Sequence, residues 1–206
     1  MDRLPAVITR SALPWLCVLG LLACTDDAKP AASTTTAEDR VEVVMANKKV
    51  STFADLCDVA PAKDAPKPFS WPAMSGSAAA SSTRYRWVNV WATWCKPCVE
   101  EMPLLSRVFG EWHKQGQDVT LSLLSVDADA AAVQKFMSEH PGTPSSLQIS
   151  DASQTTTWLT SLGLATGSAI PVHMVVDAAG NLVCARSGGI SQEDLERFRQ
   201  AMFVAR

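Results

Sequence analysis

The chain has 206 residues, 47% of them hydrophobic, and its 18 basic and 21 acidic side chains leave a formal charge of −3. That length suffices for one domain with a sizeable core, whereas an acidic chain lacks the basic surface a nucleic-acid polymer needs in a partner. Its six cysteines are too few for a disulfide scaffold at this length. They are also too unevenly placed for a structural zinc site, which wants a second close pair.

Arg3 and Arg10 precede a short apolar run, Ala12–Ala23, which contains Pro14. Such a run is too short to span a bilayer comfortably, so an export signal is the better physical reading than a transmembrane helix. Its last residues, Leu21-Leu22-Ala23-Cys24, resemble the bacterial lipobox, in which the cysteine after a small residue is lipidated and becomes N-terminal on cleavage. The resemblance implies a signal peptide over 1–23 and a lipid on Cys24; the plainer alternatives are an uncleaved anchor or a soluble secreted product. A tether over 24–40 follows, where "TDDAKPAASTTTAED" has no apolar periodicity and too little apolar surface to fold. The expected location is therefore a bacterial membrane, facing the periplasm, where thiols meet an oxidising compartment.

Residues 41–68 read as an N-terminal extension. "VEVVMANKKV" predicts a strand, a turn and a return, "STFADLC" a helix capped by Ser51 or Thr52, and "VAPAKDAPKP" a proline-rich connector. From 69 to 206 the pattern is that of a domain. "FSWPAM" predicts an edge strand because Pro72 cannot donate a ladder hydrogen bond, and "GSAAASST" a loop. "RWVNVW" predicts a buried strand, followed by a helix from about Pro97 to Lys114 on which Val99, Met102, Leu105, Phe109 and Trp112 recur at helical spacing. Pro103 is expected to kink that helix or restart it. "VTLSLLSV" is a second buried strand, "DAAAVQKFMSE" a second helix and "TTTWLTSLG" a short third one. "VHMVVD", the turn "AAGN" and "LVCAR" predict a hairpin, and "SQEDLERFRQAMF" a last helix with capping-box spacing between Ser191 and Asp194. The order predicts an α/β domain whose mixed sheet is covered on both faces.

Within "WATWCKPC" the spacing of Cys95 and Cys98 serves a structural disulfide, half a metal site or a redox pair. Cys95 ends a strand and Pro97 suits a first helical turn. Cys95 thus falls at or beside an N-cap, where unpaired N–H groups and the helix dipole favour a negative sulfur. Lys96 adds positive charge, and such settings lower a cysteine pKa from about 8.5 to between roughly 3.5 and 7.5. Cys98, one turn in, is placed to attack a mixed disulfide held on Cys95. A purely structural disulfide over so short a loop removes little chain entropy. A metal site needs further ligands, and His113, His140 and His173 do not stand at ligand spacing from the pair. Redox chemistry is the preferred reading.

"VNVWATWCKPCVEEMPLL" and "AIPVHMVVDAAGNLV" resemble the two signatures of the thioredoxin superfamily, in its exported TlpA/ResA-like branch, and the likeness runs from Phe69 to Val204. It implies a thioredoxin-like three-layer sandwich in which Cys95 attacks and Cys98 resolves. Pro171 matches the cis-proline facing them, Ile170 the residue whose backbone pairs with an extended substrate, and Trp94 the flanking tryptophan. Lys96 and Pro97 occupy the positions that tune the pair. Asn89 stands where thioredoxin proper has a buried acid. Glu101 completes C-x-x-E-x-P and becomes the candidate for proton exchange with the thiols, against the alternative of a solvated carboxylate like Glu100. The resemblance implies no cofactor beyond the disulfide itself and no metal. It implies partners bearing protein thiols or disulfides, for example apocytochrome c, with electrons from a membrane thiol reductase. A copper-handling protein using Cys95, Cys98 and His173 is the alternative. A peroxide reductase is disfavoured because Ala92 replaces the threonine that chemistry wants. Cys184 reads as a buried small hydrophobe, or as the partner of Cys57 in an oxidising compartment. His173 reads first as a polar edge residue on the strand face of Pro171.

Overall fold

In the computed structural model, which describes residues 50–76, 78 and 82–204, strands and helices follow one another along a single unit, Lys48–Arg206. They are β1 (Lys67–Pro68), β2 (Met74–Ser75), β3 (Tyr85–Trp91), α1 (Lys96–Lys114), β4 (Val119–Ser125) and α2 (Ala130–Glu139). After them come β5 (Ser146–Ile149), α3 (Thr155–Ser161), β6 (Val172–Asp177), β7 (Asn181–Ser187) and α4 (Gln192–Phe203). The expected signal peptide, the lipidation site Cys24, the tether and all of the first hairpin but Val50 lie outside the described residues.

The strands form one mixed sheet in the order β1-β7-β6-β3-β4-β5-β2. β3 runs parallel to β4 and antiparallel to β6, so Asn89 and His173 are direct partners at the sheet's centre. Alternation sends successive side chains to opposite faces. Trp87, Val175 and Cys184 join a core with Phe109 of α1 and Phe198 of α4. Val88, Val90 and Met174 join the other core with Phe136 of α2 and Trp158 of α3. These two layers of helices around a mixed sheet are the three-layer sandwich expected.

α1 passes through Pro103 without restarting. An interior proline costs about 3 kcal/mol, whereas each large side chain buried contributes about 1.5–3 kcal/mol. Met102, Leu105, Val108, Phe109 and Trp112 are all buried on this helix, which outweighs one lost bond on its exposed side. The helix expected at "STFADLC" shrinks to a 3-10 turn at Phe53–Asp55, where Asp55 accepts from the Thr52 amide and hydroxyl. Of "FSWPAM" only Met74 lies in a strand, as the start of edge strand β2.

α4 begins with the expected capping box. Ser191 Oγ accepts from the Asp194 amide at 3.1 Å, the Ser191 amide donates to Asp194 Oδ2 at 3.0 Å, and Arg186 lies 3.1 Å from Asp194 Oδ1. Burial pushes the Asp194 carboxyl up, but hydrogen bonds from Ser191 and the Arg186 guanidinium prevail and hold it below the ordinary value. A depressed carboxyl stabilises the fold above the unfolded value, about 3.9, and that contribution is lost as pH falls through the folded value. Asp194→Asn is expected to cost about 1 kcal/mol at pH 7. Urea unfolding of variant and parent should converge once the pH drops below the ordinary aspartate range.

Candidate active site

The strand-to-helix junction after β3 places the cysteines. Ala92, Thr93 and Trp94 turn the chain so that Cys95 becomes the N-cap of α1, and its sulfur accepts from the Cys98 amide at 3.3 Å. Cys95 and Cys98 are joined by a disulfide, with 5.3 Å between their Cα atoms. Cys95 Sγ also lies 3.7 Å from the carbonyl oxygen of Ile170. The Ile170–Pro171 peptide is cis, and Pro171 directly precedes β6. When the disulfide opens, negative charge on Cys95 falls where the Cys98 amide and the dipole of α1 favour it.

Access separates the two sulfurs. Cys98 is wholly buried, Cys95 retains 5% of its surface, and Trp94 beside it is 69% exposed. The accessible surface at this junction is therefore that of Trp94 and the edge of Cys95, while Ile170 is half-buried. Lys96 points outward, its side chain 84% exposed and its ammonium 3.7 Å from Glu100. Its charge reaches the sulfur mainly through solvent, where Glu100 offsets it.

Behind the disulfide lies a buried polar cluster. Glu101 is buried, unlike its neighbour Glu100. Glu101 Oε1 accepts from Asn89 Nδ2 at 3.0 Å, and Oε2 from the Ile190 amide at 3.0 Å. His173 stands 3.2 Å from Oε1 through Nε2. The expectation of an edge position for His173 is corrected: β6 lies between β3 and β7, and the ring is packed against Trp87 with centroids 5.6 Å apart. Alternation along "VHMVVD" pointed to the face; only the strand order shows that the face is interior. Cys95, Cys98 and His173, the ligand set of the copper alternative, do not come together, and among the described residues no three His, Cys, Asp or Glu side chains form a metal-binding group.

Asp127, just past β4, was not singled out by any motif. Its buried carboxylate accepts from the Thr93 amide at 2.9 Å, the Thr93 hydroxyl at 2.6 Å and the Ser125 hydroxyl at 2.8 Å. The turn that presents Trp94 and Cys95 is thereby tied to the neighbouring strand. Asp127→Ala would leave those donors unpaired in a buried setting and is expected to destabilise the fold by about 3 kcal/mol. Denaturant titration measures it. A polar residue following an apolar strand was the available signal, too common to be diagnostic.

Cys57 and Cys184 form a second disulfide, with Cα atoms 5.6 Å apart. It joins the segment before β1 to β7 on the sheet face that α1 and α4 cover.

The chain is similar to known proteins in sequence and in fold. The Redoxin family model matches residues 77–201, more than half of the chain. A thiol-disulfide oxidoreductase ResA of Geobacillus kaustophilus is 28% identical over 115 residues, covering 56% of this chain and 61% of that protein. The ResA of a Bacillus cereus strain is 27% identical over 113 residues, covering 55% and 60%. The chain thus spans about 60% of the length of the curated relatives it matches. Among solved structures, a thiol:disulfide interchange protein of the thioredoxin family from Chlorobium tepidum TLS superposes with a TM-score of 0.50 at 21% identity, covering 69% of this chain and 99% of that one. A thioredoxin-related protein from Neisseria meningitidis serogroup B gives 0.50 at 22%, covering 64% and 93%. At such identity the likeness speaks for the fold. With the matched family model spanning the cysteine pair, the cis-proline and the closing helix, the chain belongs to the Redoxin family and has a TlpA/ResA-like thioredoxin fold.

Proposed function

We propose that the chain is a thiol-disulfide oxidoreductase that exchanges disulfides with protein partners through Cys95 and Cys98, and that it acts as a reductant. The observation that carries the reading is the disulfide at the N-cap of α1, with the Ile170 carbonyl 3.7 Å from Cys95 Sγ and exposed Trp94 beside it. In the reduced protein the Cys95 thiolate attacks a partner disulfide. A bond forms between Cys95 Sγ and one partner sulfur, the partner's S–S bond breaks, and its other sulfur leaves as a thiolate that takes a proton from solvent. Cys98 then loses its proton and attacks Cys95 Sγ. The Cys95–Cys98 disulfide closes, and the second partner sulfur departs with its electron pair and is protonated. Two electrons and two protons have passed to the partner.

Trp94, Ile170 and Pro171 would dock the partner backbone. Lys96 alone would favour the reduced thiolate, raise the pair's potential and make the protein more oxidising towards its partners; its pairing with Glu100 weakens that pull and supports the reducing direction. The names of the ResA relatives agree with disulfide exchange. The resemblance supports a role in cytochrome c maturation, with apocytochrome c cysteines as substrate and a membrane thiol reductase as electron donor. Export and a lipid on Cys24, facing the periplasm, complete the proposal. It is tested by supplying the reduced protein with insulin, whose precipitation reports reduction, and the oxidised protein with a reduced unfolded protein, whose thiol loss reports oxidation. Reduction without oxidation is expected; the reverse pattern overturns the direction, and neither activity overturns the function.

A further inference from the structure

The cluster behind Cys98 contains a histidine that none of the assigned roles uses. His173 is 1% exposed and shares its surroundings with Glu101, itself 7% exposed. Its Nδ1 receives the indole N–H of Trp87 at 3.3 Å and faces the amide nitrogen of Asn89 at 3.4 Å. An indole N–H only donates, and a side-chain amide nitrogen likewise. Both neighbours of Nδ1 are therefore donors, so Nδ1 must accept. The single ring proton then belongs on Nε2.

That nitrogen lies 3.2 Å from Glu101 Oε1, off the line of a straight hydrogen bond, and no other acceptor reaches it. Asn89 Nδ2 holds Oε1 at 3.0 Å and the Ile190 amide holds Oε2 at 3.0 Å. The charged groups around the cluster are few. Arg186, the register partner of His173 on β7, is paired with Asp194 of α4 at 3.1 Å. On α1 Cys98 precedes Glu101 by one turn, and β3 presents Trp87 and Asn89, both neutral.

We propose that His173 is a positioning residue: a neutral imidazole, locked in one tautomer by Trp87 and Asn89, whose Nε2–H completes a cage of three N–H donors around the Glu101 carboxylate. The inference rests on the proposed exchange reaction and adds the element that readies Glu101 for it. When Cys98 resolves the mixed disulfide, its thiol proton passes to a Glu101 oxygen. Cys98 Sγ bonds to Cys95 Sγ, and the partner sulfur leaves with the electron pair. The cage favours the carboxylate that accepts the proton and fixes its orientation, one turn along α1 from Cys98. Asn89 belongs to the same logic, since an aspartate there would place a second acceptor beside Nδ1 and Oε1.

The test follows mixed-disulfide resolution against pH in the parent, His173→Leu, His173→Gln, Glu101→Gln and the Glu101→Gln/His173→Leu double variant. Losing one N–H donor removes stabilisation of the carboxylate. In His173→Leu the bend of the profile is expected to move up, with resolution slowed roughly tenfold below it. Glutamine keeps an N–H at similar reach and should restore the parent profile. In the Glu101→Gln background the leucine should add nothing. An unmoved bend in His173→Leu, or a full further loss in the double variant, overturns the proposal. Nitrogen-15 shifts of the parent's rings give a second readout, since the chain's other histidines, His113 and His140, are exposed and serve as references. A neutral Nε2–H ring at His173 in both redox states is expected; an Nδ1–H or doubly protonated ring contradicts it. If the parent shows no exchange at all, the proposed function fails, and the nitrogen shifts still decide the tautomer.

Discussion

Replacing Cys98 by alanine is expected to stop turnover while leaving the first attack intact, so that the partner accumulates covalently on Cys95. The difference in burial explains why. Cys95 sits beside exposed Trp94 with some surface of its own, whereas Cys98 has none and meets only a mixed disulfide already held on its neighbour. An intramolecular thiol acts at an effective concentration far above that of millimolar external thiols. Its loss should slow release of the partner by about a thousandfold or more. Non-reducing electrophoresis and mass measurement of the adduct check it. Cys95→Ala should yield no adduct and no turnover. An adduct on Cys98 instead would reverse the assigned roles.

The largest expected change in stability comes from the other disulfide. Cys57 and Cys184 are separated by 127 residues, and closing a loop of that size is worth about 4–5 kcal/mol in the chain-entropy model. Noncovalent ties join the same segments as well, and Leu56 is buried in the core that holds Cys184. Val59 makes an isolated bridge to Ala185, and Asp58 accepts from the Ser187 amide at 2.8 Å. The double variant Cys57→Ala/Cys184→Ala should lose about 3–5 kcal/mol in denaturant unfolding. Exchange through Cys95 and Cys98 should survive, because the second disulfide lies in the core shared with Phe109 and Phe198 while the redox pair belongs to the other core. A loss below about 1 kcal/mol would show that the denatured chain holds these segments together by other means.

The elements that position the redox pair were legible because several local signals agreed. An apolar run, a helix-initiating proline and helical spacing of Met102, Leu105 and Phe109 each pointed to a strand-to-helix junction at Cys95, and the structure has it. The capping box at Ser191 was legible for the same reason. What escaped is non-local. β5 is four residues among serines, with too short an alternation to register, and it exists because β4 and β2 flank it. The interior position of His173 depends on β7 continuing the sheet beyond β6. The binding of Thr93 by Asp127 joins residues 34 apart in sequence that only strand pairing brings together. At Pro103 the expected restart does not occur, because the burial of Met102, Leu105, Phe109 and Trp112 along one continuous helix outweighs the local cost of the proline.

The central claim is that Cys95–Cys98 is a working redox pair and Cys57–Cys184 a static tie. The most direct measurement equilibrates the protein in glutathione buffers of graded potential and counts the free thiols on each pair by alkylation and mass. One reversible two-electron transition confined to Cys95 and Cys98 is expected, at a potential near that of thioredoxin, about −270 mV, with Cys57 and Cys184 bonded throughout. A pair that cannot be cycled, or two disulfides that open together, would contradict the account; a transition near about −120 mV would keep the redox pair and turn the protein into an oxidant.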